Sequence, residues 1–357
     1  MKIAIDASQI IYGTGVSVYT NKLITNLLKV DEANEYTLFG GSLRRFDELK
    51  KRLNSFGGKY SSRVFPYPPS LANVVWNKLH FFPIEKLLGA VDVFHSSDWT
   101  QPPSSAFKVT TVHDLIPLKF TRYIHPKIVD AHRSRLNWVK KEVDRIIVPS
   151  TSAKEDLVDF GVQEERIRVI YESNNIKKVS QERVDEIKRK YKISGDYILT
   201  IGSAFYKNSE NVVKAFDLSA TGQDIKLVII GRQTNTKITE RRNIRVTGFV
   251  NDSDYAALCT GARAFVFPSL YEGFGIAILD AFACDTPVVT SNISSMPEVA
   301  GNAAILVDPY SVDSIAEGIA RALRGPKGLI EKGAERVKQF SWEITAKKTL
   351  DVYGESI

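Results

Sequence analysis

Two cysteines, Cys259 and Cys284, are all that a chain of 357 residues contains. They fall in separate helix-like segments and read as small buried hydrophobes of a reducing compartment, which argues against a disulfide framework. No Cys/His spacing of a zinc site occurs. No apolar run approaches the roughly 20 residues that cross a bilayer. The opening "MKIAIDASQI" lacks the long apolar region and small-residue cleavage site of a secretory signal, and points to a cytoplasmic address. Disorder is excluded by composition, with 43% hydrophobic and 25% charged residues. The chain has no nucleic-acid-binding motif and no aromatic pattern interleaved with its basic residues, so nucleic acid is not an expected partner. Its length exceeds what one hydrophobic core usually organises, and two domains are expected.

Charge is present and unevenly spread. The net value is +7, and between Lys119 and Arg145 eight Lys/Arg face three Asp/Glu. That stretch is either a solvated helix face or an attractor for anions, such as phosphates or the cytoplasmic leaflet of a membrane. The nearby "VVWNKLHFFPIEKLL" (74–88) reads as a core-facing helix. Its alternative is an apolar patch that meets a membrane or a lipid-linked acceptor.

Short apolar runs alternate with amphipathic stretches from end to end. "KIAID" (2–6) precedes a helix near 16–29, and "YTLFG" (36–40) precedes one near 43–53. "DVFHS", "KVTTVHD" and "RIIVPS" continue the series, the last leading into a helix capped by Ser150 or Thr151 and ended by Gly161. Such alternation predicts parallel strands joined by crossover helices. A polar, charged stretch at 171–196 interrupts it. A second series then runs from "YILTIG" (197–202) through "IKLVIIG", "NIRVTG", "ARAFVFPS" and "TPVVTS" to "AAILVD" (303–308). Near-continuous apolar runs are what strands covered on both faces need. The reading is α/β, with two Rossmann-like doubly wound domains over 1–175 and 176–340 and a helix over 341–357. Ligands of such sheets lie outside the carboxyl ends of the strands, so a cleft between the domains is the expected site.

One stretch carries most of the chemistry. "FPSLYEGFGIAILDAFACDTPVVTSNISSMPEVAG" (267–301) places Glu272 before a Gly-Phe-Gly turn, at the end of a predicted strand. The helix that follows starts with free amides and a partial positive charge, which suits anionic or hydroxyl-rich ligands. It carries a second carboxylate, Asp280. By contrast, "DSD" (252–254) opens a helix and reads as a cap with first-turn acids rather than a metal-binding pair. His113 follows a buried strand, where a lone histidine is normally structural. Glu298 either caps the stretch after Pro297 or supports a site.

Glu272-Gly-Phe-Gly with an acid eight positions on, then "AFACDTPVV" and "SNISSMPEVAG", resembles the retaining family-4 glycosyltransferases of the GT-B fold. The likeness is dense over 244–323. It continues more thinly in "ILTIGSAFYKNSENVVKAF", "VHDLIPL" and "YGTGVSVYTNKLITNL". It implies that Glu272 faces the donor sugar, that the amides of Phe274 and Gly275, flanked by Gly273 and Ile276, hold sugar hydroxyls, and that Asp280 binds the ribose. It implies further that Lys207 neutralises the diphosphate, that Gly13 and Gly15 line a loop near phosphates or acceptor, that His113 sits beside the reacting sugar, and that Glu298 supports the site. The C-terminal helix would pack back on the first domain.

Two departures from the family pattern stand out. Asp280 replaces the usual glutamate, and Ser203 stands where many members carry an arginine, a charge that Arg232 is placed to supply. Asp285, at a position where glycine is common, has no explanation in the sequence. The activity implied is metal-independent transfer of a hexose, with GDP-mannose the first donor choice. No cofactor is expected beyond the nucleotide diphosphate sugar. The acceptor would be a glycan or lipid-diphosphate-linked glycan of a surface polysaccharide, met at an anionic membrane face. A hydrolase or epimerase of the same fold and a non-catalytic nucleotide-sugar-binding subunit are the competing readings.

Overall fold

A computed structural model of the protein describes residues 1–202, 204–219, 224–231, 238–325 and 327–356. The chain divides into two compact units, Met1–Glu172 with Trp342–Ile357, and Ser173–Ser341. The division falls after Glu172 and before Trp342, against sequence boundaries of 175 and 340.

The first unit is built on seven strands: β1 Lys2–Asp6, β2 Glu35–Gly41, β3 Tyr60–Phe65, β4 Val93–Ser96, β5 Phe107–Thr111, β6 Arg145–Val148 and β7 Ile167–Val169. They form one sheet in the order β3-β2-β1-β4-β5-β6-β7, every pairing parallel. Parallel pairing follows from the crossovers, most of which carry a helix that returns the chain across a face of the sheet, while β4 and β5 are joined by a non-helical stretch. β1 is buried at four of its five residues and β4 at all four. Two clusters flank the sheet. Phe39, Trp76, Ile84 and Phe94 belong to one, and Leu136, Val139, Ile146 and Leu157 to the other.

Ser150 caps the helix Thr151–Asp159 by accepting from the Ala153 amide. The run 74–88 is not one helix. Asn73–Leu79 is a π-helix that stops at His80, whose φ is 50°, and a short helix Glu85–Leu88 follows Pro83. Trp76 and Leu88 face the core, whereas Val74, Leu79 and Phe81 are exposed. The left-handed residue and the proline between the two pieces remove the continuous stripe that a core helix would need.

The helix Trp342–Gly354 belongs to this first unit. Trp342 packs edge-on to Tyr19 at 5.8 Å, and Thr345 donates to the Tyr171 carbonyl at 2.7 Å. Glu355 accepts from Arg168 and also pairs with Arg145. Tyr353 shares a 2.7 Å hydrogen bond with His95, whose other nitrogen meets Thr111 at 3.0 Å. Burial, with the charges of His113 and Arg135 nearby, pushes His95 down to about 3, so this imidazole is neutral at physiological pH.

The second unit carries β8 Asp196–Ile201, β9 Ile225–Ile230, β10 Ile244–Gly248, β11 Ala264–Phe267, β12 Val288–Ser291 and β13 Ala304–Val307. Their order is β10-β9-β8-β11-β12-β13, again all parallel. Both cysteines are buried and free. The cap of the helix Asp252–Thr260 is Asn251, and Asp254 in its first turn is buried between Lys190, Arg183 and Tyr191. Among the described residues no helix is long and apolar enough to cross a membrane.

One buried ion pair locks the first unit. Arg135 is wholly buried; it donates to Asp98 at 3.0 Å, to the Thr110 hydroxyl at 2.7 Å and to the Thr111 carbonyl at 3.2 Å. Removing one partner strands a buried charge, which costs about 3–5 kcal/mol. Asp98→Ala is therefore expected to lower the melting temperature clearly, whereas Lys338→Ala, which breaks an exposed pair with Glu335, leaves it within a degree or two. Differential scanning calorimetry checks both.

Candidate active site

The second sheet reverses its order between β8 and β11, so the loops after these two strands diverge and leave room for a ligand. The loop after β8 begins at Gly202, where a Cβ would stand 2.4 Å from Ile229. It then forms the 3₁₀ turn Phe205–Lys207. Asn208, with φ of 61°, donates to the carbonyls of Pro268 at 3.0 Å and Pro309 at 2.6 Å. The Leu270 amide donates to the Tyr206 carbonyl at 2.7 Å. These bonds tie the turn to the loop after β11, and so set Lys207 against Glu272.

Lys207 Nζ donates to Glu272 Oε1 at 2.7 Å, with both side chains largely buried. The ammonium also lies 4.8 Å from the Phe267 ring centre and 5.2 Å from that of Tyr206. Aromatic faces attract a cation and hold it in place. The backbone around Glu272 is fixed by two serines. Ser294 accepts from the Glu272 amide at 3.3 Å and donates to its carbonyl at 2.8 Å. Ser295 Oγ lies within 2.9 Å of the Glu272 carbonyl and 2.8 Å of the Phe274 carbonyl. Gly275 caps the helix Ile276–Ala283 with φ of 97° and has no side chain to occupy the first amides. Only glycine adopts that conformation without strain. Gly273 and Ile276 flank this turn, while the Phe274 ring is buried edge-on to Phe340 at 6.0 Å.

Asp280, to which the family resemblance gives a ribose contact, makes contacts within the second unit. It is buried, and its Oδ1 accepts from the amides of Asn175 at 2.7 Å and Ile176 at 3.3 Å. Lys178 continues the attachment, through its amide to the Ala283 carbonyl at 3.1 Å and its ammonium to Asp285 at 2.8 Å. The shorter acid thus fastens residues 175–178 along the helix. Asp285 itself has φ of 58°. That conformation explains why glycine suits the position, and aspartate is among the side chains that tolerate it. Glu298 is half-buried in the first turn of Met296–Ala300, its carbonyl accepting from Arg336 at 2.6 Å. Ser203 and Arg232 lie outside the described residues.

In the first unit, Gly13 and Gly15 bracket Thr14, which caps the helix Gly15–Val30 in a reciprocal box with Ser17. Gly13 has φ of 67°, and neither glycine has an atom within 4 Å of an added Cβ. His113 is buried just past β5. Its Nδ1 meets Glu172 Oε1 at 3.1 Å, its ring stands edge-on to Tyr19 at 4.5 Å, and Nε2 is buried without a hydrogen bond. The imidazole therefore turns its nitrogens into the protein. Burial lowers its pKa, but the Glu172 carboxylate, with Asp98 and Asp114, outweighs this and holds His113 above its ordinary value. Glu172, Asn208, Ser294 and Ser295 were not legible as site-building residues. The run "NISS" after a strand is the one signal that a hydroxyl-rich loop faces Glu272.

Two all-parallel sheets of Rossmann type, one presenting a lysine, a carboxylate and a helix start capped only by glycine at its switch point, define an α/β scaffold suited to a phosphorylated, hydroxyl-rich ligand. Comparison with known proteins narrows the class. Residues 13–173 match the family profile described as Glycosyltransferase Family 4, and 183–340 that of Glycosyl transferases group 1. The O-antigen chain mannosyltransferase B of Escherichia coli is 28% identical, with 99% of each chain covered. An uncharacterized glycosyltransferase of Methanocaldococcus jannaschii is 31% identical over 82% of this chain and 83% of its own. Among solved structures, Anabaena Alr3699/HepE in complex with UDP and glucose superposes with a TM-score of 0.74 over 99% of this chain and 100% of its own, at 14% identity. The chain belongs to the family-4 glycosyltransferases of the GT-B fold.

The His113–Glu172 pair has a readable pH signature. A histidine whose pKa is raised by folding contributes stability that is fully present below its unfolded value, 6.5, and is lost as pH rises through the folded value. Stability of the native protein is expected to fall from about pH 6.5 upward more steeply than that of His113→Gln. Urea denaturation across pH 5–9 checks this, and parallel curves for the two proteins would refute it.

Proposed function

We propose that this glycosyltransferase transfers mannose from GDP-mannose to a hydroxyl of a growing surface glycan, with retention of configuration and without a metal. The single observation that carries the reading is the Lys207–Glu272 pair beside the helix start at Gly275. A mannosyltransferase of O-antigen chains among the relatives supports the choice of sugar and of pathway class.

The chemistry follows from charge. The bond from the sugar's anomeric carbon to the leaving phosphate oxygen breaks, its electron pair going to the diphosphate. Positive charge builds on the sugar and negative charge on the phosphate. Lys207 and the amides after Gly275 meet the developing negative charge, an arrangement that is often the largest catalytic contribution. The acceptor oxygen bonds the anomeric carbon on the face the diphosphate leaves, and its proton passes to a phosphate oxygen. No carboxylate nucleophile is needed. Glu272 then has two duties: it faces the donor sugar, and before the donor arrives it balances Lys207. In this reading the Asp280 strap shapes the nucleotide end of the site through residues 175–178.

Incubating the protein with GDP-mannose, with and without a lipid-extracted glycan acceptor, tests the reading. Acceptor-dependent transfer that persists in EDTA supports it. Release of free mannose at the same rate without acceptor would favour a hydrolase. Lys207→Ala is expected to lower turnover about 10²–10³-fold while the protein stays folded. Glu272→Gln is expected to separate the two duties: the nucleoside diphosphate binds several-fold more tightly by calorimetry, because the lysine loses its competing anion, while transfer falls.

A further inference from the structure

Five residues other than glycine adopt a left-handed backbone among the described residues: His80, Lys192, Asn208, Asp285 and Ser294. Four of them end a helical segment. His80 follows Asn73–Leu79 and Asn208 follows Phe205–Lys207, while Lys192 and Asp285 come two residues after Gln181–Lys190 and Ile276–Ala283. At the last two the chain closes with the bonds usual for a left-handed helix end. They run from the Ile193 amide to the Lys188 carbonyl at 2.8 Å and from the Thr286 amide to the Ala281 carbonyl at 3.0 Å. Ser294 has no such reason. It lies between β12 and the helix Met296–Ala300, with φ of 56°, and serine is not among the side chains that favour this region.

Its neighbour departs from a second local rule. Ser295 stands at the N-cap of Met296–Ala300, where a serine hydroxyl commonly accepts from a helix amide. Here it makes no such bond. Its side chain is fully buried, and the hydroxyl is turned instead to the carbonyls of Glu272 and Phe274.

Both departures serve one segment. β11 and β12 pair side by side, so the loops that leave them run together, and the two hydroxyls reach back 22 and 23 residues to Glu272. Ser294 accepts from the Glu272 amide and donates its own proton to the Glu272 carbonyl. A hydroxyl that holds the N–H and the C=O of one residue fixes the peptide planes on both sides of it, and with them the direction of its Cα–Cβ bond. The Glu272 carboxylate is thereby aimed before any ligand arrives. Ser295 already serves the same carbonyl, so pairing that oxygen does not require a strained residue at 294. Glycine there would relax the backbone at once. Strain kept where a remedy is available, beside a site with chemistry to perform, points to function.

We propose that Ser294 is a positioning residue for sugar transfer: its left-handed backbone is strain retained so that its hydroxyl can orient Glu272, with Ser295 holding the same turn from beneath. That the orientation acts on transfer rests on the donor reading above, whereas the strain and the bracket do not.

Two substitutions separate geometry from stability, because both remove the hydroxyl and only one relaxes the backbone. Ser294→Gly and Ser294→Ala, in the full chain, are compared with the native protein by calorimetric melting and by initial rates of transfer from GDP-mannose to the lipid-extracted glycan. Ser294→Ala is expected to melt several degrees below Ser294→Gly, which stays close to the native value. Both are expected to lose kcat about 10–100-fold, the scale set by a misplaced reacting group, with KM for GDP-mannose nearly unchanged. Rate then follows the hydroxyl while stability follows the backbone, a split that a purely structural residue does not produce. Native kcat in Ser294→Gly would overturn the proposal. So would a raised KM at unchanged kcat, which marks a ligand contact, or rate losses in proportion to the loss of melting temperature. Calorimetric titration of the native protein with GDP keeps the two readings apart. If the native protein binds GDP and transfers mannose while Ser294→Gly matches it, this inference alone falls. If it binds no GDP, the donor reading falls and this inference with it.

Discussion

Parallel strand pairing is the constraint on which everything else depends. In both units every strand runs the same way, so every loop that leaves a strand's carboxyl end emerges on one edge of its sheet. The central strands are largely buried, and the polar side chains they carry, such as His95, Thr110 and Thr111, are taken up by internal hydrogen bonds. Polar side chains with chemistry to perform are therefore concentrated on that edge, most of all where the strand order reverses and two loops part. Lys207 and Glu272 stand at this point in the second sheet. A cavity of about 620 Å³ stands at the equivalent point in the first.

Holding those loops still is the task of residues with no direct chemistry. Asn208 spans two carbonyls that follow β11 and β13, and two serines clamp the backbone of Glu272. Asp280 gathers two amides that would otherwise be unpaired, next to the point where the chain enters the second unit. Each of these contacts links a side chain to backbone. Such bonds fix loop geometry without adding bulk, and they leave the open side of the site clear. A buried acceptor that takes backbone amides contributes more order than a second sugar contact would, because it fixes several dihedral angles at once.

This division of labour explains what the sequence could and could not tell. Strands were legible because apolar runs between turns have one physical use in an α/β chain. Glu272 and Gly275 were legible because a carboxylate before Gly-Phe-Gly, at a strand end, has little reason to exist in a core. The partners of Asp280 were hidden because backbone amides carry no sequence signature. Asp285 made sense only once its left-handed backbone was seen. The stretch 74–88 misled because its apolar residues keep helical spacing, while a π-helix and a left-handed His80 turn several of them outward. The unit boundary lay close to 175 in the sequence for a compositional reason, the polar run at 171–196. In the structure, Glu172 stays with His113 and residues 175–178 stay with the helix they are fastened to.

The lysine–glutamate pair also bears on how such a site can be both strong and reversible. An unpaired ammonium, largely buried, would cost much desolvation free energy and would bind any passing phosphate. Pairing it with Glu272 at 2.7 Å removes that cost and sets a threshold: an anion must offer more than one carboxylate does. Under the proposed reading a diphosphate, with more negative charge and more acceptor oxygens, is the anion to meet that threshold, with the helix amides sharing the load. On that reading, release after transfer has a built-in competitor, since the carboxylate is tethered beside the lysine. On this argument, discrimination between diphosphate and lesser anions arises from the resident anion that they must displace as much as from the contacts they make.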